Sequence, residues 1–170
     1  IFLAKKLNSE IISSDSRQFY KEMAIGTSVP SINDLKTVKH HFIQHKSILE
    51  DYSLGDFEKD CIKTINQKFK NHDLLIMTGG SGMYADSIIY GIDKFPEIDK
   101  KIRNNLISLF KKNGIKYLQN MLKENDPTYF SKIDLNNHQR IIRALEVSKF
   151  AGKRFSSFLE KKKAKRKLKT

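Results

Sequence analysis

Short apolar runs alternate with amphipathic stretches through the first half of the chain, and the second half keeps only helical periodicity. Residues 10–14, "EIISS", predict a strand, and a long loop follows through Gly26 and Pro30. Ser31 with Asp34 forms an S-x-x-D helix start, so "INDLKTV" predicts a short helix, and "HHFIQ" (40–44) predicts a second strand. Ser53 with Asp56 repeats the start signal. The helix it opens carries Leu54, Phe57, Cys61, Ile65 and Phe69 close to helical spacing. "DLLIM" (73–77) is a continuous apolar run, as expected of a strand covered on both faces, and it leads straight into "TGGSGMY" and another helix. Alternation of this kind predicts a parallel α/β sheet with short crossovers.

The pattern changes at Pro96. Asp99 can cap a helix that runs to Asn113 and stops at Gly114, and a second helix covers 115–124. Asp126-Pro127 is an N-cap followed by proline at the first helical position. Asn136 with Gln139 then opens "HQRIIRALEVSKFAG", which Gly152 ends. The expected organisation is an α/β core over 1–95, an all-helical lobe over 96–155 and a basic tail over 156–170. The last ten residues hold seven basic side chains, too few apolar groups to anchor to a core. There is no internal repeat.

Composition narrows the class. The 170 residues suffice for one core and a small second lobe, with 39% hydrophobic and 30% charged residues. No apolar run approaches a membrane span, and "IFLAKKLNSE" has no signal-peptide cleavage pattern. That start lacks an initiator Met and reads as the second half of an amphipathic helix, which predicts a fragment. A formal net charge of +13 points to an anionic partner such as nucleic acid. However, 26 of the 32 basic residues are Lys and 6 are Arg, in a chain also rich in Asn and Ile. An AT-rich genome produces that bias unaided, so the few Arg carry more weight. The single Cys61 excludes an internal disulfide, fits a reducing cytosol and reads as a small buried apolar residue.

Three places could carry chemistry. Asp15, Ser16, Arg17 and Gln18 follow directly on the first strand, where ligands of open α/β sheets bind. A carboxylate there can accept a proton or hold a metal, or it can simply cap the loop. "MTGGSGMY" (77–84) joins a strand to a helix. Its glycines permit close backbone approach to a phosphate or substrate edge, and they equally suit a tight turn. It is neither a P-loop nor a dinucleotide fingerprint. In "NHQRIIRALEV", Gln139, Arg140 and Arg143 share one arc of a helix, and Ile141, Ile142 and Leu145 share the opposite one. The guanidinium pair suits phosphates and stacked bases, or it belongs to a solvated face with Glu146 as an intrahelical partner. His41 and His45, four apart in a predicted strand, sit too far apart to share a metal.

In this order, "EIISSDSRQFYKEMAIGTSVPS", "VKHHFIQ", "YSLGDF", "MTGGSGMY", "GID…FPEIDKKIR" and "NNHQRIIRALEVSKFAGK" resemble the tRNA dimethylallyltransferase family, over residues 1 to about 156. The resemblance implies a P-loop-NTPase-like parallel α/β core with a helical insertion that grips the anticodon arm of tRNA. It implies transfer of a dimethylallyl group from dimethylallyl diphosphate to N6 of the adenosine 3′ of the anticodon, with Mg²⁺ as cofactor. Asp15 is then the general base and Ser81 a catalytic hydroxyl, at a position more often Thr. Asp15, Ser16, Arg17, Gln18, Ser81, Arg103, Gln139, Arg140, Ile141, Ile142 and Arg143 are the implied tRNA contacts, and no residue of the chain is an implied metal ligand. A monomer in the cytoplasm is expected.

The family's Gly-Lys-Thr/Ser phosphate loop would precede residue 1 and its further basic contacts would follow residue 170. The expectation is therefore that the 170-residue piece alone is inactive. Three alternatives fit parts of the pattern: an adenylate isopentenyltransferase acting on free nucleotide, a catalytically dead RNA-binding fragment, and a nucleotide kinase. The first needs no helical grip on an anticodon arm. The last needs a P-loop and an Arg-rich lid, whereas residues 96–152 hold three Arg.

Overall fold

A computed structural model describes residues 1–93, 95–96 and 98–159. Most of the predicted basic tail lies outside the described residues. The chain divides into two compact units, the first Ile1–Ile92 and the second beginning at Asp93.

The first unit is built on a three-stranded parallel sheet in the order β2-β1-β3: β1 Ile11–Ser13, β2 His40–His41 and β3 Ile76–Thr78. Central β1 is buried at every position, which explains its purely apolar entry. Helices α1 Phe2–Lys6, α2 Ile32–Thr37, α3 Leu54–Lys68 and α4 Gly82–Tyr90 complete the unit. Ser31 with Asp34 and Ser53 with Asp56 each form a full capping box, so both S-x-x-D starts are where the sequence puts them. Phe57, Cys61 and Ile65 of α3 pack with Ile12, Phe19 and Ile88 into the main core of this unit.

Two strand expectations are corrected. The second strand ends at His41, because Phe42 and Gln44 adopt positive φ and turn the chain out of the sheet. The third starts at Ile76 rather than Asp73 and is not covered on both faces: its residues are half-buried or exposed, and Leu74 before it is 42% exposed. Among the described residues β3 is an edge strand, paired with β1 alone.

His45 follows the second strand into an aromatic pocket, with its ring 5.4 Å from Phe19, 5.2 Å from Phe42 and 5.2 Å from Tyr52. Both ring nitrogens are buried and have no hydrogen-bond partner among the described residues. Burial holds its pKa below the ordinary value, and the Lys46 cation acts in the same direction, opposed by Asp60 and Glu50. The unfolded chain therefore binds this proton more readily than the folded one. The corresponding stability is complete above the unfolded value of about 6.5 and declines as pH falls below it. We expect urea titrations to show this loss as pH falls below about 6.5, and His45→Phe to flatten that part of the profile.

The second unit is helical: α5 Lys100–Asn113, α6 Ile115–Asn125, α7 Pro127–Phe130 and α8 His138–Ala151, then a 3₁₀ turn at Phe155–Phe158. Asp99 caps α5, Gly114 follows it at φ 76°, and Gly152 ends α8 in the left-handed conformation. The cap of α8 is Asn137, one residue later than the predicted Asn136; its side chain accepts from the Arg140 N–H. Leu106, Leu118, Leu122, Ile141, Ala144, Leu145 and Val147 form the core. Asp126, fully buried, does more than cap α7. It accepts from Tyr129 N at 3.0 Å, Ser156 N at 2.7 Å and Ser156 Oγ at 2.9 Å, so it ties the 3₁₀ turn to the helices. Asp126→Ala removes a cap and strands the two half-buried donors of Ser156. We expect it to lower the stability of this unit by about 3 kcal/mol in urea unfolding.

Candidate functional site

Parallel β1 and β3 are neighbours, so their carboxyl ends and the loops that follow lie side by side. Asp15 stands two residues beyond β1. Its Oδ1 accepts from the Arg17 N–H at 2.9 Å, and its Oδ2 accepts from the Gly80 N–H at 3.2 Å, across from the loop after β3. The first bond is the loop cap that the sequence allowed. The second joins the carboxylate to the glycine segment. Each oxygen keeps a further lone pair.

Ser81 makes the next link. Its Oγ accepts from the Ser16 N–H at 3.1 Å and lies 3.0 Å from the Ser16 Oγ. In turning to Ser16 it leaves α4 without a side-chain cap. The two glycines are what allow this approach. A Cβ on Gly79 would come within 2.5 Å of Ser14 C and Asp15 N, and one on Gly80 within 3.0 Å of the Asp15 Oδ2.

Gln18 braces the loop. Its Oε1 accepts from the Ser13 hydroxyl at 2.9 Å, and its Nε2 donates to the carbonyls of Thr27 at 3.1 Å and Ser28 at 2.9 Å. The same Ser13 Oγ accepts from Asp15 N at 3.2 Å. Gln18 therefore holds the shape around Asp15, with all of its amide atoms engaged. Arg17 is exposed, and its guanidinium makes no hydrogen bond or ion pair with a described residue.

In the helical unit the arc of α8 is as predicted, with Gln139 and Arg140 exposed, Arg143 half-buried and Ile141, Ile142 and Leu145 buried. Glu146, 2% exposed, accepts from Arg103 Nη1 at 3.1 and 3.0 Å and from Arg143 Nη1 at 2.8 Å. Arg103 also reaches Gln139 at 3.5 Å, and Arg143 lies over the Phe95 ring at 5.1 Å. The paired guanidiniums are thus Arg103 and Arg143, not Arg140 and Arg143. Arg140 is exposed and has no ion pair with a described residue. The side chains of Ile141 and Ile142, at 0% and 3% exposure, belong to the helical core.

Ser13 is the part of the Asp15 site that no motif marks. Gly79 and Gly80 make the close backbone approach that the glycine segment allows, and Glu146 is the intrahelical partner of Arg143 that the sequence also allows. The arrival of Arg103 from α5 has no local signal. Among the described residues no group of three or more His, Cys, Asp and Glu could hold a metal. His41 bonds to Glu10 at the other end of β1, with Lys68 3.0 Å and His72 3.4 Å from the same carboxylate.

The model of the IPP transferase family matches residues 18–170. The chain belongs to the IPP transferase family. It is 50% identical to the tRNA dimethylallyltransferase of Flavobacterium psychrophilum, an alignment covering 96% of this chain and 55% of that protein. It is 48% identical to the tRNA dimethylallyltransferase of Christiangramia forsetii, covering 99% and 56%. This IPP transferase chain thus spans about half the length of the curated relatives it matches.

Among solved structures it is similar to the tRNA isopentenylpyrophosphate transferase of Bacillus halodurans. The TM-score is 0.53 at 33% identity, covering 89% of this chain and 50% of that one. A eukaryotic dimethylallyltransferase solved acting on tRNA shares the fold, with a TM-score of 0.66 at 24% identity over 91% of this chain and 39% of that one. The α/β core with helices is the architecture of the IPP transferase family.

Proposed function

We propose that the full-length protein transfers a dimethylallyl group from dimethylallyl diphosphate to N6 of the adenosine 3′ of the anticodon in tRNA. The observation that carries this reading is the Asp15 carboxylate, fixed at the strand ends by the Arg17 and Gly80 N–H groups inside a chain of this family. Those two bonds fix its direction and leave lone pairs for a proton.

In the proposed step the exocyclic nitrogen of adenine attacks the prenyl carbon. The new N–C bond forms as the C–O bond to diphosphate breaks, the amine proton passes to Asp15, and pyrophosphate leaves with the electron pair. The aryl amine is a weak nucleophile, so a carboxylate within hydrogen-bond reach is the help it requires. The base must leave its stack to get there. Ser16 and Ser81 keep the two loops together around it and Gln18 braces the loop; Arg17 in the first unit, and separately Arg103, Arg140, Arg143 and Gln139 in the second, supply polar groups for RNA.

Mg²⁺ would neutralise charge on the leaving diphosphate; among the described residues no carboxylate cluster would hold it. No helix among the described residues is long and apolar enough to cross a membrane. We propose the cytoplasm as the protein's location because its proposed substrate is tRNA.

The acceptor decides between tRNA and free nucleotide. With the full-length protein and dimethylallyl diphosphate, we expect kcat/KM for an anticodon stem-loop to exceed that for AMP by at least about 100-fold, the discrimination that several added phosphate and base contacts give. Equal values would favour the adenylate enzyme.

A further inference from the structure

We propose that Glu146 is a positioning residue that sets Arg103 and Arg143 as one rigid pair of guanidinium forks for the RNA backbone. The inference rests on the tRNA reading above and adds how that surface is organised.

The geometry is unusual for a structural ion pair. One buried carboxylate takes three N–H bonds from two guanidiniums on different helices, α5 and α8. Its chain neighbours on α8 are the core residues Leu145 and Val147. Burying a charge there carries a desolvation penalty, and apolar packing of similar volume would hold two helices at least as well. The two arginine side chains stay 39% and 43% exposed.

Arg103 spends Nη1 on the carboxylate and points Nη2 at Gln139; Arg143 spends Nη1, rests on Phe95 and keeps Nη2 and Nε without a described partner. Two cations that would otherwise repel are held beside each other, half-exposed, with donors to spare. A planar fork fixed in this way grips phosphate oxygens without first losing side-chain freedom. In a chain with 26 Lys and 6 Arg, two of the Arg meet on one carboxylate.

Charge and positioning predict opposite signs, and this makes the test decisive. Glu146→Gln raises the net charge of the cluster from +1 to +2, the two guanidiniums less the one carboxylate that is removed. If the cluster acts through charge alone, affinity for RNA stays equal or tightens. If Glu146 positions the forks, affinity falls despite the added charge.

We expect the full-length Glu146→Gln protein, folded by circular dichroism, to bind an anticodon stem-loop about tenfold more weakly at moderate salt. The salt slope should be shallower by about one to two lost phosphate contacts. The Arg103→Lys, Arg143→Lys double variant keeps both charges and the buried carboxylate but loses the forks, and we expect a similar loss. It also decides the matter if Glu146→Gln does not fold. Wild-type affinity and slope in the folded variants would overturn the positioning role alone. Failure of the wild-type protein to bind the stem-loop would overturn the tRNA reading, and this inference with it.

Discussion

Asp15→Asn in the full-length protein is expected to lower prenyl transfer to tRNA by about 10³-fold, within the range a lost general base produces. RNA affinity should stay within about twofold, because one uncharged amide replaces one carboxylate at a point the RNA backbone need not touch. The amide oxygen can still accept from one of the two N–H groups that now meet Asp15, Arg17 N or Gly80 N, so the loop keeps most of its shape. What is lost is the proton acceptor. Rates and binding measured on the same preparation separate the two roles. Equal loss of both would mean that Asp15 is a loop cap on which the fold depends, and the general-base assignment would fail.

Gly79→Ala is expected to have the second large effect. Its Cβ would sit 2.5 Å from two backbone atoms, Ser14 C and Asp15 N, and 2.7 Å from the Ser14 Oγ. A backbone neighbour cannot rotate away, so β1 and the loop after β3 must separate. Overpacking of this kind costs about 1–3 kcal/mol, visible as a lowered urea midpoint. The same separation stretches the Gly80 to Asp15 bond, which is already 3.2 Å, and the Ser16 to Ser81 bond of 3.1 Å. Transfer should therefore fall by at least about tenfold even in the folded fraction, since the carboxylate loses the donor that aims it. Gly82, with nothing within 4 Å of a Cβ, is the internal control: Gly82→Ala should keep stability close to wild type.

The elements that local chemistry dictates were legible in the sequence. Ser31 with Asp34, Ser53 with Asp56, Asp126-Pro127, Gly114 and Gly152 each act through neighbours a few residues away, and each stands at its predicted boundary. The strands were less legible because their limits are set by pairing. "HHFIQ" loses its last three residues to two positive-φ positions, and "DLLIM" is strand only where it meets β1.

The candidate site followed the same rule. Asp15, Ser16 and Ser81 could be named from motif order, but the bonds from Gly80 N–H to Asp15 and from Ser16 N–H to Ser81 each span 65 residues and no local pattern encodes them. Gln18 looked like a group that reads substrate because its amide was visible and its three partners, Ser13, Thr27 and Ser28, were not. Helical arithmetic separated Arg143 from Ile141 correctly. It could not show that Arg143 would meet Arg103 across two helices rather than act with Arg140.

The central claim is that Asp15 takes the proton from an adenine amine of tRNA as the prenyl group arrives. It is tested most directly by incubating unmodified tRNA and dimethylallyl diphosphate with the full-length protein and digesting the RNA for mass mapping, with the Asp15→Asn protein run in parallel. The predicted result is one dimethylallyl group on N6 of the adenosine 3′ of the anticodon with the wild-type protein, and almost none with the variant, although both bind the tRNA. Bound but unmodified tRNA with the wild-type protein, or full modification with the variant, would contradict the account.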